Sequence, residues 1–169
     1  DRVLANKQLA DSEKIVLTNM RAVHGPAIAD HAMAMLLMLT RNMKEHLRNQ
    51  AEGRWPRGDG PDDGPHATAL AGKTMLVVGL GGIGTEIAQR ASGFGMHVIA
   101  TRRTDAPSPP FVQKTGKPED LMSMLPQADV VAICVPLTPE TTGLIGTRAF
   151  AAMKHTAILI NIARGKIVD

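Results

Sequence analysis

Residues 75–84 constrain this chain more than any other segment. The apolar run Met75-Leu76-Val77-Val78 enters Gly79-Leu80-Gly81-Gly82-Ile83-Gly84, and a helical pattern opens directly behind it. Gly79, Gly81 and Gly84 have the G-x-G-x-x-G spacing, in which each glycine has its own task. The first permits a tight turn, the second lets backbone approach a pyrophosphate, and the third lets helix and strand pack closely. Gly82 and Ile83 fall at the helix N-terminus, where unpaired N–H groups and a partial positive charge favour phosphate. A glycine triplet alone is weak evidence. Here Ile83, Ile87, Ala88 and Ala91 recur at helical spacing, Gly93 to Gly95 punctuate the end, and His97-Val98-Ile99-Ala100 reads as a second strand. The whole is a βαβ unit of about 30 residues, as a dinucleotide-binding turn requires.

The end of the second strand refines this. Enzymes that use NAD place an acid there for the ribose 2′-OH. This chain has Thr101-Arg102-Arg103-Thr104, and its first carboxylate is Asp105. Arg102 and Arg103 suit a 2′-phosphate, which a guanidinium binds through charge-assisted hydrogen bonds. NADP is therefore preferred to NAD as the expected cofactor. The alternative is a solvated pair of loop charges.

Further strands are expected at Ile15 to Leu17, 129–135 and 156–161, with helices from Ala27 to about Leu47, from Pro118 to Leu125, and from a Thr147 cap to Met153. In the first helix Ile28, Ala32, Met35, Leu39, Met43 and Leu47 form one stripe, which Met33, Leu36, Leu37 and Met38 widen. Such a helix is either a central core helix or one that also meets a second subunit. Residues 53–72 are rich in Gly, Pro and Asp and read as a surface loop. Asp59, Asp62 and Asp63 match no calcium-loop spacing, and no metal site is expected. Strands alternate with helices, so the fold class is α/β: a doubly wound, mostly parallel Rossmann sheet. Gly81, Arg102, Pro136 and Arg164 all follow strand ends and should gather on one rim.

Composition removes several function classes. The 169 residues carry 19 Lys+Arg against 16 Asp+Glu, a net charge of +3, with three Phe, one Trp and no Tyr. Neither a basic patch nor stacking platforms for nucleic acid are expected. The longest apolar run, Ala32 to Leu39, is far short of the ~20 residues of a membrane span. The single Cys134 permits no intrachain disulfide and fits a reducing, cytoplasmic setting. It falls in an apolar strand and reads as a small core residue.

Several segments resemble the D-2-hydroxyacid dehydrogenase family. They are Val16-Leu17-Thr18-Asn19, Pro26-Ala27-Ile28-Ala29-Asp30-His31-Ala32 (with Asp30 where the family more often has Glu), the glycine fingerprint, Val135-Pro136-Leu137-Thr138-Pro139-Glu140-Thr141-Thr142-Gly143, and Asn161-Ile162-Ala163-Arg164-Gly165 followed by Val168-Asp169. The resemblance implies that residues 26–169 form the NAD(P)-binding domain and residues 1–25 the tail of a substrate-binding domain. It implies that Gly82 and Ile83 lie against the pyrophosphate. Arg102, assisted by Arg103, would meet the 2′-phosphate. Val135 and Pro136, with Thr141 nearby, would flank the riboses, and Ile162 and Ala163 would offer backbone near the nicotinamide. Arg164 would be the catalytic arginine, binding the carboxylate of a 2-oxo acid and polarising its carbonyl.

The implied activity is hydride transfer between NAD(P)H and a small 2-oxo acid, as in glyoxylate and hydroxypyruvate reductases, by a homodimer formed through helix 27–48. The family's proton-donating histidine and its glutamate lie downstream of the segment resembling residues 161–169. None of this chain's six histidines matches that histidine. The chain therefore reads as a piece that would not turn over substrate alone. Two other readings remain open: a nucleotide-sensing regulator or corepressor on the same fold, and an alanine-dehydrogenase relative. The segment 135–143 argues against the second of these.

Overall fold

The computed structural model describes residues 6–12, 14–16, 23–55 and 67–169. A short helix α1 (Lys7–Ala10) precedes α2 (Gly25–Thr40) and α3 (Met43–Ala51). Then come β1 (Thr74–Val78), α4 (Gly82–Gly93), β2 (His97–Thr101), β3 (Lys114–Gly116), α5 (Leu121–Met124), β4 (Val130–Ile133), α6 (Thr147–Ala152) and β5 (Ile158–Asn161). The five strands form one parallel sheet in the order β3-β2-β1-β4-β5. The order reverses beside β1, which is the doubly wound arrangement expected, and a ligand crevice opens outside the carboxyl ends at such a reversal.

The strands alternate between two cores, as a period of two requires. Met75 and Val77 of β1, Val98 and Ala100 of β2, and Val130 and Ala132 of β4 face the core shared with α2 and α4. Leu76, Val78, Ile99, Val131 and Ile133 face the opposite core, with Leu121, Met124, Leu125, Ile145 and Ala149. Asp30 of α2 joins α4 through Arg90, whose Nε donates to Asp30 Oδ1 at 2.6 Å while Nη1 donates to Glu86 Oε2 at 2.6 Å. Asp30 thus supplies a carboxylate to this clamp.

The expected long helix is two helices. Asn42 between them has φ 52°, the left-handed conformation that Asn tolerates better than most residues, and α2 ends there. The stripe does not run on as one buried face: Leu39, Met43 and Leu47 are exposed. Strand β3 was not expected. It is a three-residue edge strand, Lys-Thr-Gly, set by pairing with β2 and without an apolar run. Thr147 does not cap α6; Gly146 stands at the cap and Thr147 is the first helical residue. The helix expected at 118–125 is α5 flanked by 3₁₀ turns at Pro118–Asp120 and Leu125–Gln127, the second containing Pro126. Ile15 and Val16 lie outside any strand, and Leu17 to Asn19 fall outside the described residues, as do Asp59, Asp62 and Asp63. Among the described residues no helix is long and apolar enough to cross a membrane.

Candidate functional site

Register aligns the strand ends. Val78 pairs with Thr101 and with Ile133, Ile133 with Asn161, and Thr101 with Gly116. The chain therefore leaves the sheet at one level at Gly79, Arg102, Lys117, Cys134 and Ile162.

The glycines divide as the spacing predicts. Gly79 has φ +100°, and a Cβ there would lie 2.7 Å from Val135 Cγ1. A Cβ on Gly84 would lie 2.1 Å from the Gly79 carbonyl oxygen, so helix α4 could not sit this close to the turn with any other residue. Gly81 differs, because a Cβ there meets nothing within 4 Å. The fold itself does not need Gly81 to be bare. The open space over Gly81 and the N–H groups that open α4 are features that suit an anion. The Gly79 and Leu80 N–H groups both donate to the Thr101 carbonyl, at 3.1 and 3.0 Å, which ties the turn to the end of β2.

A recess of about 500 Å³ lies over this turn. Gly81, Gly82 and Ile83 form one wall; Cys134, Val135, Pro136 and Leu137 form the second; Ile162, Ala163 and Arg164 form the third. His24, Gly25 and Ile28 at the start of α2 complete the lining. The lining is mostly apolar, with the N–H groups that open α4 along one wall, which suits a nucleotide. A second recess of about 760 Å³ adjoins it, sharing His24, Ile28, Ile162, Ala163 and Arg164 and adding His31, Met35 and Asn161. Arg164 stands, exposed, where the two recesses meet.

Asn161 sets the backbone around Arg164. Its Oδ1 accepts from the Ala163 N–H at 3.0 Å, and its Nδ2 donates to the Arg164 carbonyl at 2.9 Å. The sequence reading quoted Asn161 within its motif and gave it no task. The signal was available in an Asn two residues before the N–H that it binds, the mark of an Asx turn.

Thr141 has a similar supporting position. Its Oγ1 donates to the Pro136 carbonyl at 2.6 Å and accepts from the Thr138 N–H at 2.8 Å. It braces the loop after β4 from behind and does not line the recess. Hydrogen bonding from Thr138, together with the nearby Arg103, holds the Glu140 carboxyl below its ordinary range. The Cys134 thiol donates to the Ala132 carbonyl, and burial pushes its pKa up to about 12, so it is not a nucleophile at neutral pH.

Arg102 lies on the common rim by its backbone, and its side chain enters a different recess. Its backbone leaves the sheet there, with its N–H donating to the Gly116 carbonyl at 2.9 Å. Its side chain turns away from the glycine recess, and Nη1 donates to the Ala106 and Pro107 carbonyls at 3.3 Å each. It lines a neighbouring polar recess of about 570 Å³ with Thr104, Asp105, Ser108, Thr115 and Lys117. The Arg102 Nε is buried there without a hydrogen-bond partner. Such an orphaned donor is costly, and an anion brought to it would satisfy it. Arg103 is exposed and lies outside both recesses.

Sheet order, glycine turn and recess together define a dinucleotide-binding domain of the dehydrogenase type. Residues 33–169 match the family described as D-isomer specific 2-hydroxyacid dehydrogenase, NAD binding domain, and the chain belongs to that family. It is 39% identical over 165 residues to a glyoxylate reductase of Thermococcus gammatolerans, covering 92% of this chain and 47% of that protein. It is 35% identical over 160 residues to a glyoxylate/hydroxypyruvate reductase B of Klebsiella pneumoniae, covering 94% and 49%. Among solved structures, a Thermus thermophilus protein superposes with a TM-score of 0.82 at 36% identity, covering 97% of this chain and 50% of that one. A glycerate dehydrogenase related protein from Thermoplasma acidophilum gives 0.79 at 30% identity, covering 94% and 52%. The chain spans about half the length of the curated relatives it matches.

Proposed function

We propose that the whole protein to which these residues belong reduces a small 2-oxo acid of the glyoxylate and hydroxypyruvate type to the D-2-hydroxy acid, with NADPH as reductant, and that the 169 residues alone do not. The observation that carries this is Arg164, exposed at the junction of the glycine-turn recess with its neighbour and held there by Asn161. The names of the relatives support the substrate class.

Gly81, Gly82 and Ile83 hold the pyrophosphate on the first turn of α4. Val135 and Pro136 bound the ribose region, and Thr141 keeps their loop in shape. Ile162 and Ala163 form the wall against the nicotinamide, and their backbone is fixed by Asn161. Bound there, NADPH supplies the hydride. Arg164 binds the substrate carboxylate and stabilises the negative charge that develops on the carbonyl oxygen, and the resulting alkoxide takes its proton from a general acid, a role assigned to no residue of this chain. Arg102 and Arg103 make the end of β2 cationic, which favours a 2′-phosphate over a bare ribose. Residues 26–169 are assigned to the dinucleotide-binding domain and residues 1–25 to the end of a substrate-binding domain. The exposed Met38, Leu39, Met43 and Leu47 on α2 and α3 are the face through which two copies pair. Oxidation of NADPH by the product of the complete open reading frame on addition of glyoxylate or hydroxypyruvate tests the activity, and failure of both acids to elicit it there overturns the reading, whereas turnover by the 169 residues alone would overturn the expectation that they are inactive by themselves.

A further inference from the structure

The recess beside β2 holds a second cation that the proposed function does not use. Thr101 pairs with Gly116, so Arg102 and Lys117 leave the sheet side by side. Both line the same recess, as does Asp105. Lys117 Nζ forms an ion pair with Asp105 Oδ1, made by side chains that are 47% and 93% exposed. The Arg102 side chain donates two hydrogen bonds of 3.3 Å to carbonyls, and among the described residues its Nε has no partner. Two cations thus converge on one place, one of them under-satisfied and the other occupied by a carboxylate from the same loop.

We propose that Lys117 is a second ligand for the 2′-phosphate of NADPH, and that Asp105 is an internal carboxylate which the phosphate displaces. The inference rests on the NADP reading and deepens it. The exchange is favourable in charge terms. An exposed ion pair is weak, because solvent screens it and both side chains lose freedom on forming it. A phosphate monoester carries about −1.5 to −2 charge at neutral pH, with three strong acceptor oxygens where Asp105 offers a single charge. Swinging Arg102 to that phosphate breaks two long hydrogen bonds and gives its Nε an acceptor. Thr104, Ser108 and Thr115 add hydroxyl groups to the same lining, with Ser108 Oγ and Thr115 Oγ1 in mutual contact at 2.7 Å. Asp105 then acts as a selectivity device: it neutralises Lys117 when the ribose is bare and yields when a phosphate arrives.

The test is calorimetric titration of the full chain with 2′,5′-ADP and with 5′-ADP, for the wild type, Lys117→Met and Asp105→Asn. The wild type is expected to bind 2′,5′-ADP more tightly than 5′-ADP. Lys117→Met should weaken 2′,5′-ADP by about tenfold and leave 5′-ADP unchanged, whereas Asp105→Asn should tighten 2′,5′-ADP several-fold. Wild-type protein that binds both nucleotides equally overturns the NADP reading itself. A wild-type preference that Lys117→Met leaves undiminished overturns the role of Lys117 alone, as does an equal weakening of both ligands. An Asp105→Asn variant that binds 2′,5′-ADP no better than wild type overturns the displacement.

Discussion

Gly81 and Gly84 are three residues apart and are glycine for different reasons. At Gly84 an added methyl group would lie 2.1 Å from a backbone oxygen that cannot move without dismantling the turn. At Gly81 it would meet open space on the floor of the recess. Gly84→Ala is therefore expected to cost about 3 kcal/mol of unfolding free energy. Gly81→Ala should change stability by less than about 0.5 kcal/mol while weakening NADPH binding roughly tenfold. Urea denaturation and cofactor titration of the two variants separate the effects. A Gly81→Ala protein that binds NADPH normally would remove the pyrophosphate from its assigned place.

The elements are held at the opposite, amino end of the sheet by Asp129, just before β4. Its Oδ2 accepts from the Thr74 N–H at 2.8 Å, joining β4 to β1, and its Oδ1 accepts from Lys154 at 2.9 Å. Burial alone would raise its pKa. The Thr74 N–H, Lys154 and Lys73 outweigh that and hold the carboxyl below its ordinary value. A depressed carboxylate contributes stability that is present above the ordinary pKa and is lost as pH falls through the folded one. Asp129→Ala should thus cost about 1–2 kcal/mol at neutral pH, and the difference from wild type should shrink below about pH 4. A difference that stays constant into acid would mean that the carboxylate's charge is not what joins the strands.

At this same scale the sequence was most and least readable. β1, α4, β2 and β4 are apolar and bounded by glycine, proline or charge, so periodicity alone located them. β3 carries no apolar signal because an edge strand of Lys-Thr-Gly is specified by its partner's backbone. The break at Asn42 was hidden because the helical pattern continues in register through it, and only the left-handed φ of one Asn ends α2. For the site, the motifs named Arg102 and Arg164 by position. The direction of the Arg102 side chain depends on the Ala106 and Pro107 carbonyls and on β3, none of which any motif encodes.

Across the whole molecule, two surfaces await partners of different kinds. The apolar side chains of α2 and α3, with Leu39 at 58% and Leu47 at 54% exposure, are assigned to a second copy. Sedimentation of the wild type should show a dimer and Leu39→Lys a shift towards monomer. A wild type that stays monomeric at high concentration would leave this face without its assigned partner. The carboxyl edge of the sheet is assigned to cofactor and substrate together, and Arg164 is where the two meet. Its removal should separate binding from chemistry, because Arg164 is assigned to the charge that develops on the substrate and the glycine turn is assigned to the pyrophosphate. The most direct measurement is the steady-state rate of NADPH-dependent glyoxylate reduction by the product of the complete open reading frame, wild type and Arg164→Ala, alongside NADPH affinity. The expected result is a fall in kcat/KM of roughly 10²–10³-fold with NADPH affinity unchanged. Equal turnover by the two proteins would contradict the assignment of Arg164 to the reacting carbonyl.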